Sequence, residues 1–167
     1  MYPNPESITR VTSIGAGPIG AGWTAHFLAR GYDVTAYLHA ASETDAFMSI
    51  LKTAWISLTD LGLAPGASLD RLRISTDLED ALAGAEFVQE SGPERLDIKQ
   101  ALYARMGAIL SPSVVIGSST SGLMMSDIQA DCPTPERTVI GHPFNPPYLL
   151  PLVEIVGGKK TAPEAVV

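Results

Sequence analysis

The sequence has little cysteine, a shortage of positive charge and no long apolar run, and each of these excludes a class of protein. Cys132 is the only cysteine in 167 residues, so an internal disulfide is impossible and a reducing, cytoplasmic location is expected. With 11 basic against 18 acidic residues, the formal net charge is -7, which argues against nucleic acid or an anionic membrane as a partner. The chain contains no run of about 18 apolar residues, so no transmembrane helix is expected. Its first residues lack the pattern of a signal peptide.

Histidine is also scarce. His26, His39 and His142 have no spacing typical of metal ligands, so no metal site is expected. Hydrophobic residues make up 46% of the chain, which is enough for one domain with a core of its own.

Short apolar runs alternate along the chain with longer segments of helical periodicity, with Ser42 as the expected N-cap of the second helix. The predicted strands are residues 10–14, 33–38, 72–74, 86–89, 114–117, 138–140 and 152–156, and the predicted helices are residues 19–30, 42–61, 77–83 and 94–109. This order is typical of an α/β fold, a Rossmann-like, doubly wound and mostly parallel sheet with flanking helices. We expect one NAD(P)-binding domain over residues 1–167.

A glycine-rich stretch, GAGPIG, follows the first predicted strand and begins the first predicted helix. Its residues are Gly15, Ala16, Gly17, Pro18, Ile19 and Gly20. The G-x-G-x-x-G spacing allows a tight turn, a close approach of the backbone to a pyrophosphate, and close helix–strand packing. The helix N-terminus then offers free N–H groups to the phosphates. Such glycines can also be present only because a tight strand–helix turn requires them. The predicted strands and helix that flank them favour dinucleotide binding.

The second predicted strand lacks one part of this fingerprint. An acid that binds the adenosine ribose is expected at its end, but the chain there reads Tyr37-Leu38-His39. Leu38 cannot accept a hydrogen bond, so NADP is not excluded beside NAD. An arginine that would hold the 2′-phosphate of NADP is also missing, and His39 would help only weakly.

Four segments together resemble the NAD-binding domain of the L-3-hydroxyacyl-CoA dehydrogenase family. They are GAGPIGAGW, FVQESGPERLDIK, SSTSGL and GHPFNPPYLLPLVE. Their sequences are most similar to the branch of the family that oxidises the 3-hydroxyl of L-carnitine to 3-dehydrocarnitine with NAD. The family continues into a helical C-terminal domain that supplies homodimer contacts and much of the substrate pocket. Because that domain is absent from these 167 residues, we expect this chain alone to be nearly inactive.

The resemblance places a catalytic histidine–glutamate pair on His142 and Glu154. Oxidation of a secondary alcohol needs a base for the hydroxyl proton, and a histidine held in one tautomer by a carboxylate suits this step. His142 lies among three prolines, which we expect to stiffen its loop, and Glu154 lies in an apolar run typical of a buried strand. Alone, each residue could be structural or a surface group.

The resemblance also implies roles for further residues. Ser121 aligns with the substrate-binding serine of the family, although the cluster SSTSG could simply cap a helix. Asn145 lies beside the nicotinamide in the family, with a turn residue as the alternative. Glu94 and Lys99 match cofactor-contacting positions, but both are expected to open a helix, where an acid is ordinary.

Aromatic side chains near His142 could recognise the trimethylammonium group of carnitine. Phe144 is the better candidate and Tyr148 the weaker one, and core packing is the alternative for both. The residues 42–61, where longer members of the family carry a helical hairpin that faces CoA, contain only one basic residue, Lys52. This argues mildly against an L-3-hydroxyacyl-CoA substrate. A third possibility, a non-catalytic or crystallin-like NAD(H)-binding protein, would not need a proton acceptor. A serine hydrolase is not expected, because G-x-S-x-G is missing.

Overall fold

A seven-stranded sheet organises the computed structural model, which describes Tyr2 and residues 4–166. The strands are Arg10–Ile14 (β1), Asp33–Tyr37 (β2), Leu72–Ser75 (β3), Phe87–Glu90 (β4), Val115–Ser118 (β5), Thr138–Pro143 (β6) and Val153–Gly157 (β7). Their spatial order is β3-β2-β1-β4-β5-β6-β7. β1 to β6 run parallel, and β7 runs antiparallel to β6. The predicted Rossmann-like, mostly parallel sheet is confirmed.

Helices connect the strands and cover both faces of the sheet. They are Pro18–Ala29 (α1), Thr44–Leu61 (α2), Leu78–Leu82 (α3), Leu96–Ile109 (α4) and Met125–Ile128 (α5). One predicted cap is wrong: Ser42 lies inside a 3₁₀ turn, Ala41–Glu43, and α2 begins after that turn. Glu94 was also expected to open a helix, but α4 begins two residues later, at Leu96.

The core consists of two apolar clusters, one on each face of the sheet. On one face, α1 and α2 pack Leu28, Phe47 and Leu51 against the alternate β2 residues Val34 and Ala36. On the other face, Tyr103, Met106, Ile116 and further residues of α4, α5 and the central strands pack together. Burying apolar area on both faces of a parallel sheet is what makes its strands read as short apolar runs.

The strand that carries Glu154 is not buried, contrary to the expectation. Four of the five residues of β7 are exposed. β7 is the last strand of the sheet, so the apolar residues of its run, Leu152, Ile155 and Val156, remain 57%, 46% and 51% exposed. Within the described residues, no helix is long and apolar enough to cross a membrane.

Candidate cofactor cleft and active site

The glycine-rich turn between β1 and α1 has two positions, Gly15 and Gly20, that only glycine satisfies. Gly15 has φ +115°, and a Cβ there would clash with the carbonyl oxygen of Ser91. A Cβ on Gly20 would clash with the carbonyl oxygen of Gly15, whereas a Cβ on Gly17 would point into open space. No side chain caps α1, and its first turn carries no acid. The N–H groups of this turn are therefore free to bind an anion.

A cleft of 690 Å³ opens at this turn. Its walls include Gly15, Gly17, Tyr37, His39, Ile98 and Leu102. A larger cavity of 980 Å³ lies among the first residues of the strands, at Val11, Phe87 and Val115. Open α/β sheets bind ligands at the carboxyl ends of their strands. The smaller cleft is the one at that end, and its glycine cradle and uncapped helix suit the pyrophosphate of NAD.

The end of β2 differs from the expectation in two ways. Leu38 is completely buried and belongs to the α1–α2 cluster, so it does not line the cleft; the exposed His39 lines it instead. An arginine is also present, because α4 brings Arg105 into the lining of the cleft. The sequence could not show this, since Arg105 lies 67 positions after Leu38 in the chain.

His142 and Glu154 face each other across neighbouring strands. They are register partners in the antiparallel pair β6–β7, and His142 Nδ1 lies 2.9 Å from Glu154 Oε2. His142 therefore lies on a strand and not in the expected stiff loop, because Pro143 still belongs to β6 and the loop begins only after it. The side chains are 28% and 59% exposed. With Nδ1 donating to the carboxylate, Nε2 is left as the nitrogen that can accept a proton.

The loop that carries Ser121 is held by Glu94. Glu94 Oε1 accepts hydrogen bonds from the Thr120 hydroxyl at 2.6 Å and from the N–H groups of Ser121 and Gly122, both at 3.0 Å. Burial opposes the charged form of Glu94, but these bonds and the charge of Lys99 outweigh it and lower the pKa of the carboxyl. Glu94 is thus a loop anchor here, not a helix-opening acid, and its cofactor contact remains a prediction.

Lys99 lies inside the protein, in the second turn of α4. Its Nζ is 2.7 Å and 2.9 Å from the two carboxylate oxygens of Glu90, with side-chain exposures of 1% and 0%. The same carboxylate accepts from the Ser118 hydroxyl at 2.7 Å and from the Gly92 N–H at 2.6 Å. Sequence reasoning missed Glu90, although an acid at the end of an otherwise buried strand was a signal for a charged partner. A cofactor contact of Lys99 remains a prediction.

The residues after His142 are placed differently from one another. Phe144 is 38% exposed, and its ring centroid lies 5.9 Å from that of His142. Asn145 is exposed and precedes a cis peptide bond to Pro146. Tyr148 packs against the α1–α2 cluster beside Gly22, as the core-packing alternative implies. Phe144 is the aromatic residue that remains open next to the histidine.

Gln89 connects the Ser121 loop to the strand of His142, and sequence reasoning missed it. Its buried amide donates to the Gly141 carbonyl at 3.0 Å and to the Ser119 hydroxyl at 2.8 Å. The Trp23 indole also donates to Ser119, at 3.2 Å. A polar side chain in the apolar stretch FVQE was the available signal, because buried amides need partners. In the described part of the chain, no cluster of acidic, histidine or cysteine side chains could hold a metal ion.

The chain is similar in sequence to one family of dehydrogenases. The family model for "3-hydroxyacyl-CoA dehydrogenase, NAD binding domain" matches residues 10–167. The L-carnitine dehydrogenase of Streptomyces coelicolor is 56% identical over 163 residues, and that of Pseudomonas putida is 50% identical over 164 residues. Each alignment covers 98% of this chain and 51% of the relative. The chain thus spans about half the length of these relatives.

Solved structures show the same fold. A 3-hydroxybutyryl-CoA dehydrogenase from Escherichia coli matches with TM-score 0.87 and 32% identity over 96% of this chain and 34% of the other. An NAD+-dependent dismutase, FHMPC 5-dehydrogenase, matches with TM-score 0.87 and 37% identity over 95% of this chain and 52% of the other. The matched domain is an NAD-binding one, so NAD is confirmed as the cofactor.

Proposed function

The chain belongs to the 3-hydroxyacyl-CoA dehydrogenase family, and from that premise we propose that it is the NAD-binding part of an L-carnitine 3-dehydrogenase. Residues 1–167 would form the first domain of a longer, two-domain enzyme that oxidises the 3-hydroxyl of L-carnitine to 3-dehydrocarnitine. The observation that carries the proposal is the 2.9 Å contact between His142 and Glu154. This contact lies at the carboxyl end of β6, and the glycine-rich turn lies at the carboxyl end of the parallel strand β1.

The histidine is suited to act as the base of this reaction. Nδ1 donates to Glu154, so Nε2 can take the proton of the substrate hydroxyl while the C–O single bond becomes a carbonyl. Glu154 then stabilises the imidazolium and keeps the ring in one orientation. Bound NAD supplies the acceptor for the hydride that leaves the carbon. Ser121, exposed on the loop anchored by Glu94, would hydrogen-bond the substrate oxygen.

Three observations favour carnitine over a CoA ester. The curated relatives at 56% and 50% identity are L-carnitine dehydrogenases. Lys52 is the only basic residue in α2, the element where a CoA-facing hairpin would supply phosphate-binding groups. The exposed Phe144 ring beside His142 offers an aromatic face to a trimethylammonium group. Asn145, next to it, would contact the nicotinamide.

The test uses the protein extended to its natural stop codon. NAD reduction is followed with L-carnitine and with L-3-hydroxybutyryl-CoA, each with NAD and with NADP. Turnover of carnitine with NAD supports the proposal, whereas turnover of the CoA ester alone would make the protein a 3-hydroxyacyl-CoA dehydrogenase. Binding of NADH without turnover of either substrate would favour a non-catalytic NAD(H)-binding protein. A Phe144→Ala variant with an unchanged KM for carnitine would remove the aromatic contact from the proposal.

A further inference from the structure

The cleft lacks the usual acid for the adenosine ribose, yet it belongs to an NAD-binding domain. Leu38, at the position where that acid is expected, is buried in the core and faces away from the cleft. One acid does line this cleft, namely Glu43. We propose that the Glu43 carboxylate binds the hydroxyls of the adenosine ribose and so determines the preference for NAD over NADP.

The backbone places Glu43 near the expected ribose position. The N–H of Gly15 donates to the carbonyl of Tyr37 at 3.0 Å, so the end of β2 lies directly beside the glycine-rich turn. The chain then leaves β2 and enters the 3₁₀ turn Ala41–Glu43, which begins the approach to α2. A dinucleotide whose pyrophosphate lies on the glycine-rich turn extends its adenosine toward the end of β2. Glu43 is the acid that lines this end of the cleft among the described residues.

The Glu43 carboxylate is oriented but not saturated. Its Oε2 accepts a hydrogen bond from the Ala40 N–H at 3.2 Å, and its side chain is half-buried. Among the described residues this is the only hydrogen bond of the carboxylate, which leaves Oε1 free to accept. An ionised carboxylate accepts through both oxygens, so the 2′- and 3′-hydroxyls of a ribose are suitable donors. A 2′-phosphate at the same place would be repelled.

The part of the cleft lined by α4 suits an adenine base. α4 contributes the apolar side chains Ile98, Ala101 and Leu102, against which a purine can pack. Arg105 lines the cleft as well and offers the permanently charged group among the lining residues that would attract a 2′-phosphate. The cleft therefore contains a carboxylate, Glu43, that can bind the ribose hydroxyls of NAD, and a guanidinium, Arg105, that can bind the 2′-phosphate of NADP. Because the family uses NAD, we assign the recognition of the ribose to Glu43.

The experiment measures binding, so it depends on the NAD-binding role of the domain and not on carnitine as the substrate. The chain is titrated calorimetrically with NADH, with NADPH and with NADH lacking the adenosine 2′-hydroxyl. We expect the wild type to prefer NADH over the 2′-deoxy analogue by about tenfold or more, the contribution of a hydrogen bond to a charged group. In Glu43→Ala this preference should disappear, and the preference for NADH over NADPH should fall by a similar factor.

The matched control is Asp45→Ala, which removes one negative charge from the first turn of α2 at an exposed residue that does not line the cleft. It should keep both preferences of the wild type. Glu43→Ala weakening all three ligands equally would mean that Glu43 only shapes the turn, and the inference would be wrong. An Asp45→Ala variant that behaves like Glu43→Ala, or a wild type that prefers NADPH, would overturn it as well. Failure of carnitine turnover with these preferences intact would leave it standing.

Discussion

Two pairs of a carboxylate with a nitrogen base lie near the carboxyl ends of the strands, and they differ chiefly in their exposure to water. Lys99 Nζ is 2.7 Å from Glu90 Oε1, with side-chain exposures of 1% and 0%. His142 Nδ1 is 2.9 Å from Glu154 Oε2, with exposures of 28% and 59%. The contact distances are nearly equal, so distance alone does not separate the roles of the two pairs.

The environment separates them. Glu90 and Lys99 have no access to solvent, and the Ser118 hydroxyl and Gly92 N–H add to the hydrogen bonds of that carboxylate. Such a pair is costly to break, because either charge left alone inside the protein is desolvated. His142 and Glu154 are open to solvent, where a hydrogen-bonded pair of polar side chains contributes little to stability. The first pair is suited to hold β4 and α4 together, and the second to exchange a proton.

The largest expected effect comes from breaking the buried pair. Lys99→Met keeps most of the side-chain volume but leaves the Glu90 carboxylate buried without its cation. We expect the free energy of unfolding of the chain to fall by about 3–5 kcal/mol, measured by urea denaturation. The double variant Glu90→Gln with Lys99→Met should recover part of the loss, since no charge then remains buried. A change below about 1 kcal/mol for Lys99→Met would contradict the structural role of the pair.

An intermediate effect is expected at Glu94, whose side chain is 45% exposed. Glu94→Ala removes the acceptor of three hydrogen bonds from the Ser121 loop, and we expect a loss of about 1–2 kcal/mol, since water can satisfy the exposed donors. Glu94→Gln keeps an acceptor oxygen and serves as the matched control. Urea denaturation of the two variants measures the difference, and equal stability of Glu94→Ala and the wild type would mean that the loop does not depend on this residue.

The difference in stability between the wild type and Glu94→Gln depends on pH in a defined direction. The pKa of Glu94 is lowered in the folded chain, so its ionised form contributes stability at pH values above the usual carboxyl pKa. That contribution is lost as the pH falls through the lowered pKa of the folded state. The stability difference between the wild type and Glu94→Gln should therefore stay constant from pH 7 down to the usual carboxyl pKa and shrink as the pH falls below it. A difference that grows toward acid pH would contradict the sign of this shift.

The smallest effect on stability is expected at the exposed pair. Glu154→Gln preserves the shape of the side chain and removes only its charge, and we expect the free energy of unfolding to change by less than about 1 kcal/mol. Thermal and urea denaturation at pH 7 check this. A loss as large as that of Lys99→Met would show that the exposed pair stabilises the fold as much as the buried pair does. The proposed difference between the two pairs would then be wrong.

The fold could be predicted because its signal is local. β1 lies at the predicted residues, Arg10–Ile14, and α1 is displaced by one residue, since apolar runs and glycines mark both. α5 was not predicted, because a helix of four residues is too short to show a helical period. The expected burial of β7 was wrong, since an apolar run alone does not show whether a strand lies at the edge of a sheet.

The candidate site could be predicted only in part. The resemblance supplied His142 and Glu154, and the structure adds that they are register partners. The partners of Gln89 and Glu94 lie 52 and 27 residues away in the chain, so no local pattern could identify them. From the sequence, Leu38 is expected in the ribose site in place of the usual acid. In the structure the Leu38 side chain is buried, and an acid from elsewhere, Glu43, lines the cleft.

The proposed function depends most on His142, which we propose as the base of a carnitine dehydrogenase. The most direct test is the rate of NAD reduction by L-carnitine for the wild type and His142→Gln, both extended to the natural stop codon. Equal unfolding free energies and equal NADH affinities of the two proteins serve as controls. We expect His142→Gln to lose about 10²- to 10⁴-fold in kcat, the usual contribution of general base catalysis. A kcat within threefold of the wild type would contradict the account.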